Sequence, residues 1–437
     1  MKHPNHIVGP LAALLLWAGW ASVAAAGNVT LLYSGNLDGE LEPCGCSEEG
    51  NLGGILRRAT LMARLRAENP ELVALSAGGL LSIDGPGDRL KGEYILKGFA
   101  ALNYDAVGLQ WRDLAYGTEL VAQAPLPWVV SNWRGDDAPK AFAPQRTIVR
   151  AGQRIDFFSW LDPEASPMRD ARGGHGVASG SAQALNAALK RARRAGGLTV
   201  LASTQTPAQL DGVVDLSLVD VLIQRAAYEV YGEPVKHGDT LVIQPGSRGM
   251  RLGRLDLELD GGRIKSWRHT VLPMPGSIPD APELQAWYDE YNARVKEDYL
   301  KRVEIRKARE SGQSPFVGEE RCQQCHAPQH EIWFGSQHAL AYEDLEAVDK
   351  AFDPACIRCH TVGFELPGGF VDMNITGHLL GVQCESCHGA GRAHAESGGA
   401  KPLANAGWAP EQMCAQCHTQ PHSPGFDLKR YWPKIAH

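Results

Sequence analysis

Eight of the ten cysteines lie between residues 322 and 417, each in a Cys-x-x-Cys pair followed directly by histidine. The four copies are Cys322-Gln-Gln-Cys325-His326, Cys356-Ile-Arg-Cys359-His360, Cys384-Glu-Ser-Cys387-His388 and Cys414-Ala-Gln-Cys417-His418. Chance predicts about 0.01 matches to this pattern from the Cys and His frequencies, so four carry real information. Cys-x-x-Cys-His is the attachment pattern of covalent c-type haem. Two thiols add to two porphyrin vinyl groups, one helical turn presents both, and the adjacent imidazole reaches the iron. A zinc site explains less, because it takes two Cys pairs per ion and needs no His after each one. A disulfide framework leaves the same four histidines without a role.

Ten of the 15 histidines fall from residue 317 onward, where apolar residues are too sparse for an ordinary core. Four porphyrins in so short a segment must pack against one another and supply that core, with thioether links as staples. A contiguous row of haems is most simply an electron path. The second axial ligand separates wire from catalyst: two imidazoles saturate the iron, whereas an empty position binds small molecules. Histidines outside the motifs are His330, His338, His378, His394, His422 and His437, with Met373 and Met413 as further ligand candidates.

Residues 1–26 have the form of a Sec signal peptide: Lys2, an apolar run over Val8–Ala24, then Ala24-Ala25-Ala26 before Gly27. The run is shorter than the roughly 20 apolar residues of a membrane span. No later segment is long and apolar enough to cross a bilayer, so no transmembrane segment is expected after cleavage. Periplasmic or cell-surface localisation follows, with redox proteins as partners. The net charge of −7 argues against nucleic acid.

Residues 27–279 alternate apolar runs with amphipathic stretches, an α/β pattern. Strands are expected at Val29–Tyr33, Leu72–Leu75, Asp105–Leu109, Trp128–Val130, Leu198–Leu201 and Val219–Ile223. Helices are expected at Ile55–Ala67 and Ala182–Ala195. Asp239–Gln244 and Leu252–Leu259 alternate apolar and polar residues and predict antiparallel strands joined around Pro245 and Gly246. Residues 281–312 predict one long helix. The expected organisation is a signal peptide (1–26), an α/β sandwich (27–279), a helical linker (280–315) and a mostly helical and loop tetrahaem region (316–437).

The segment 316–437 resembles the tetrahaem cytochrome c-554 family. Matching stretches are Phe316-Val317-Gly318, Trp333-Phe-Gly-Ser336-Gln-His338, Cys384-Glu-Ser-Cys387-His388-Gly389-Ala-Gly391, and Phe426 with Tyr431-Trp432 to His437. The resemblance implies three haems with two His ligands and one five-coordinate haem. By position, it places His394 opposite His326, His338 opposite His388 and His437 opposite His418. The haem on His360 then has the open site, and His330, His378 and His422 are spare, one of them available to close it.

Residues 28–275 resemble the 5′-nucleotidase branch of the calcineurin-like metallophosphoesterases, through Gly53-Gly54-Ile-Leu-Arg57-Arg58-Ala59, Asp105-Ala-Val107, Ser131-Asn132, Gly246-Ser-Arg-Gly249 and Leu252-Gly253-Arg254. Hydrolysis in that family needs two metal ions. Where it has metal ligands, this chain has Asn36-Leu37-Asp38, Gly78-Gly79, Gln110-Trp111-Arg112-Asp113, Thr204 and Arg225-Ala226-Ala227-Tyr228. The resemblance therefore implies a degenerate phosphoesterase fold. The same loop region carries Cys44-Gly45-Cys46, two thiols able to bind copper or zinc, to form a redox disulfide, or to stay inert. The expected function is electron transfer along four c-type haems. The alternatives are a redox enzyme acting on a small nitrogen or sulfur species at the haem on His360, and a bifunctional cytochrome with hydrolase activity.

Overall fold

The computed structural model describes residues 27–44, 51–83, 87–133, 138–167, 182–225, 232–309, 312–419, 422–423 and 425–437. The expected signal peptide, Cys46 and the Cys44 side chain lie outside the described residues.

The chain begins with β1 (Gly27–Ser34), the two-residue strands β2 (Pro43–Cys44) and β3 (Leu52–Gly53), and α1 (Ile55–Glu68). Then come β4 (Val73–Ser76), α2 (Asp88–Ala101), β5 (Ala106–Gly108), α3 (Thr118–Gln123) and β6 (Trp128–Val129). The second half runs β7 (Arg146–Arg150), β8 (Gln153–Trp160), α4 (Ala182–Arg194), β9 (Leu198–Ser203), α5 (Pro207–Leu210) and β10 (Val221–Gln224). It closes with β11 (Val235–His237), β12 (Thr240–Ile243), β13 (Arg251–Asp260), β14 (Arg263–Pro273) and the long α6 (Gln285–Arg309).

Two six-stranded mixed sheets result, in the orders β14-β13-β1-β4-β5-β6 and β11-β12-β10-β9-β8-β7. Period-two alternation builds the layers. In β1, Leu31 and Tyr33 point between the sheets, against Ile155, Phe157 and Val200. Leu32 points the other way, into the layer with Ile55, Met62, Ile95 and Phe99 of α1 and α2. Phe158 and Leu201 face Leu185 and Leu189 of α4 on the far side. This is a helix–sheet–sheet–helix sandwich whose central strands are buried on both faces and whose edge strands β7, β11 and β14 are largely exposed.

The six expected buried strands and both helices form, with ends shifted by at most two residues. The expected pairing of 239–244 with 252–259 is wrong. β12 pairs with β10 and β11, whereas β13 crosses to the other sheet and pairs with β1 and β14. β13 alternates in burial as expected, whereas β12 is buried at all four positions, and Pro245–Met250 carries the chain between sheets instead of turning it back.

The expected linker helix is a packed spine. Its first half joins the sandwich: Trp287 Nε1 donates to Tyr94 O at 3.1 Å, and the Tyr94 hydroxyl donates to Glu290 at 2.6 Å. Gly98 is needed here, because a Cβ would sit 2.4 Å from the Trp287 ring. Its second half joins a small apolar cluster of Tyr299, Val303, Phe316, Tyr342, Phe352, Ile357, Val362 and Phe370. The Tyr299 hydroxyl donates to Val371 O at 3.1 Å and Arg306 to Phe370 O at 2.8 Å. Among the described residues, no helix is long and apolar enough to cross a membrane.

Leu32 is fully buried between β1 and the helices. Leu32→Ala is expected to cost the sandwich about 2–5 kcal/mol, read as a lower midpoint in denaturant by far-UV circular dichroism.

Candidate haem-binding region

After Leu379 no described apolar side chain is buried, so the last two motifs have no apolar core of their own. What they have is imidazoles facing imidazoles. His326 lies opposite His394, with ring centroids 6.2 Å apart and planes 22° apart. His338 lies opposite His418 at 6.1 Å, and His388 opposite His437 at 5.8 Å. With metal–imidazole bonds of about 2 Å and a ring radius of about 1 Å, two rings on one metal have centroids about 6 Å apart. All three separations fit an iron held between the rings.

The ring orientations fit as well. Nδ1 of His394 is tied to Lys401 O at 2.7 Å, that of His437 to Ile435 O at 2.9 Å, and that of His418 to the Ser423 hydroxyl at 3.1 Å. Nδ1 of His360 is tied to Ala341 O. Anchoring one nitrogen fixes the ring and presents Nε2 to a metal. Burial lowers the pKa of His338, His388 and His418, which favours the neutral imidazole that ligates iron.

The pairing that the resemblance implied is corrected at two places. His394 faces His326 as expected. His338 faces His418 rather than His388, and His437 faces His388 rather than His418. The reason is the backbone. Val382 N bonds His338 O at 3.1 Å, which places His338 beside the start of motif 3, and its ring extends past that motif to His418. Among the described residues no imidazole faces His360. Of the spare histidines, His330 pairs with Glu319 at 2.5 Å. The His378 carbonyl accepts from Gln383 at 2.9 Å. His422 is exposed, its pKa lowered first by desolvation and then by Arg248.

Glu385, inside motif 3, organises this region. Its buried carboxylate accepts from the N–H groups of Gly318 at 2.9 Å and Gly391 at 2.7 Å, and from Val317 at 3.0 Å. One side chain thus ties the approach to motif 1 to the helix that carries His394. Asp353 starts the motif-2 helix Pro354–His360 by accepting from Ala355 N at 2.9 Å. An Asp before Pro is the N-cap signal that could have located this helix start.

Contacts among the motif cysteines order the motifs. Cys322 touches Cys384, Cys387 lies within electrostatic reach of Cys414, and Cys417 touches Cys359. The spatial order is first, third, fourth, second.

At the carboxyl ends of β1, β4 and β5, the positions aligned with phosphoesterase metal ligands come together with different chemistry. Gln110 Nε2 donates to Asn36 at 3.0 Å. Asp38 is ion-paired with Arg112 and accepts from Arg248 N at 3.0 Å, and Arg225 lies 3.8 Å away. Asp113 accepts four backbone N–H groups, from Gly79, Leu80, Leu81 and Gln110. Among the described residues no group of three or more His, Cys, Asp or Glu could hold a metal. Only the backbone of Cys44 is described, pairing with Leu52.

Two kinds of known protein are met in this chain: the C-terminal region is similar to cytochromes of the c-554 type, and the N-terminal region shares the fold of 5′-nucleotidases. The family described as cytochrome c554 and c-prime matches residues 321–389. Cytochrome c-554 of Nitrosomonas europaea is 38% identical over 144 residues, covering 25% of this chain and 61% of that protein. The chain therefore spans under two thirds of the curated relative it matches. For the sandwich, a 5′-nucleotidase precursor from Thermus thermophilus superposes with a TM-score of 0.52 at 20% identity, covering 62% of this chain and 59% of that one. A sulfate thiohydrolase from Thermus thermophilus gives 0.53 at 17% identity, covering 67% and 63%. At such identities the likeness is one of fold.

Removing one ring tests the pairing. His338→Ala is expected to turn one low-spin haem high-spin in the EPR spectrum of the oxidised protein. In a Cys414→Ala/Cys417→Ala background, which lacks the motif-4 haem, adding His338→Ala should change nothing further. The pairing fails if that loss of effect appears instead in a Cys384→Ala/Cys387→Ala background.

Proposed function

We propose that this protein is an exported electron-transfer cytochrome carrying four c-type haems in a row. Bound haem supplies one-electron chemistry by cycling its iron between ferric and ferrous states. The observation that carries the reading is the three facing imidazole pairs beside four attachment motifs. His326 with His394, His388 with His437, and His418 with His338 would each hold one iron from both sides, and saturated iron suits electron transfer rather than ligand binding. The thiol contacts support a row running through motifs 1, 3, 4 and 2. Neighbouring motifs in contact keep successive haems close enough for transfer between them. Electrons would be exchanged with redox proteins in the periplasm or at the cell surface.

A second reading is favoured by one observation, the lack of an imidazole facing His360 among the described residues. Motif 2 would then hold a haem with an open axial position, suited to a small nitrogen or sulfur species. The sandwich is read as non-hydrolytic: an ion pair between Asp38 and Arg112 stands where the family's metal chemistry requires free ligands.

Haem quantitation with EPR tests both readings. Four haems per chain are expected, three low-spin and one high-spin, with carbon monoxide binding to one haem of the reduced protein. Fewer than four covalent haems would overturn the row. Four low-spin haems inert to carbon monoxide would end the second reading alone.

A further inference from the structure

Where the sandwich meets the cytochrome region, charged side chains gather, one buried and the others half-buried. Lys350 donates to Glu42 at 2.5 Å and to Asn292 of α6 at 2.7 Å. The Tyr288 hydroxyl of α6 also donates to Glu42. Lys350 lies over the Tyr288 ring, 5.2 Å from its centroid, and is 13% exposed. Asp353, 7% exposed, caps the motif-2 helix within electrostatic reach of Glu42, Lys350 and Lys91 of α2. Lys91 also pairs with Glu40 at 3.9 Å. Around that helix start, three carboxyls (Glu40, Glu42 and Asp353) face two ammonium groups (Lys91 and Lys350). Glu42 and Lys91 come from the sandwich, Lys350 and Asp353 from the cytochrome region.

A stabilising role alone accounts poorly for this arrangement, since buried ion pairs gain little over apolar packing. Its position accounts for it better. Charges in a low-dielectric interior act strongly on neighbouring charge, and these sit at the start of the helix bearing Cys356, Cys359 and His360. We propose that the phosphoesterase-fold region is a tuning element for the motif-2 haem, with Glu42 and Lys350 setting that haem's reduction potential through their opposed charges. The inference rests on the reading that motif 2 holds a haem. A negative charge left near the iron favours the ferric state and lowers the potential; a positive charge raises it.

The test is a spectroelectrochemical titration of the full-length holoprotein, with haem content measured first. Lys350→Met is expected to move one of the four components to more negative potential. Glu42→Gln should move the same component to more positive potential. The double variant should return it close to wild type, and the other three components should hold their positions throughout. A mere clamp between regions predicts something else: both variants shifting one way, or all four components broadening. Either result, or no shift, overturns the proposal. If Lys350→Met fails to accumulate as holoprotein, Glu42→Gln decides alone: a positive shift of one component supports the proposal, and none or a negative one sinks it. A wild-type protein lacking haem on Cys356 and Cys359, shown by peptide mass, defeats the proposed function itself. Four haems without the opposed shifts defeat only this inference.

Discussion

The gap between facing imidazoles governs the cytochrome region. Ring centroids 5.8 to 6.2 Å apart set each pair at the separation of two imidazoles on one metal. The surrounding chain has no apolar core of its own, because no described apolar side chain beyond Leu379 is buried. The polypeptide contributes mainly aim: Lys401 O, Ile435 O and the Ser423 hydroxyl hold three rings by their Nδ1 atoms. Glu385 holds the segments on which the motif-1 pair depends.

Motif 2 differs from the other three in having protein around it. Ile357, Val362, Phe370 and Leu379 are fully buried beside it, and Tyr299 and Val303 of α6 complete that cluster. The same helix reaches the sandwich through Trp287 and Glu290. One rigid element thus packs into two cores, so the motif with no facing imidazole is also the one held most firmly against the other half of the chain. A site meant to bind a ligand or to have its potential set by neighbouring charge benefits from such support, since both depend on fixed distances.

Most of this was legible in the sequence where the signal is local. Four Cys-x-x-Cys-His repeats name their own chemistry, and apolar runs such as Leu72–Leu75 and Leu198–Leu201 mark buried strands because both sheet faces are covered. Legibility ended where the answer depended on long-range placement. Leu252–Leu259 shows a correct strand period, yet period says nothing about which strand lies beside it, and the partner proved to be β1. His338 and His437 could be picked out as ligand candidates, but which proximal imidazole each faces is decided by chain path. The cluster of Glu42, Lys350 and Asp353 joins residues some 300 positions apart and has no sequence period; only Asp353-Pro354 left a local trace, as a helix start.

The sandwich poses a different question: how a fold built around metal ions stands without them. At a dinuclear metal centre, cations offset the acidic groups that ligate them. Here one acid, Asp38, persists in that place and would be a costly partly buried charge if alone. Arg112, Arg225 and the Arg248 N–H surround it instead, so fixed guanidinium charge does the work of the ions. Asp113 is handled differently, with four backbone N–H groups satisfying its carboxylate. The neutral pair Asn36 and Gln110 closes the remaining ligand positions by bonding each other. A centre neutralised by its own side chains no longer needs to exchange ions or water with solvent. The face beside it is then free to serve as a wall, and Glu40, Lys91 and Glu42 on that wall are the groups that extend toward motif 2.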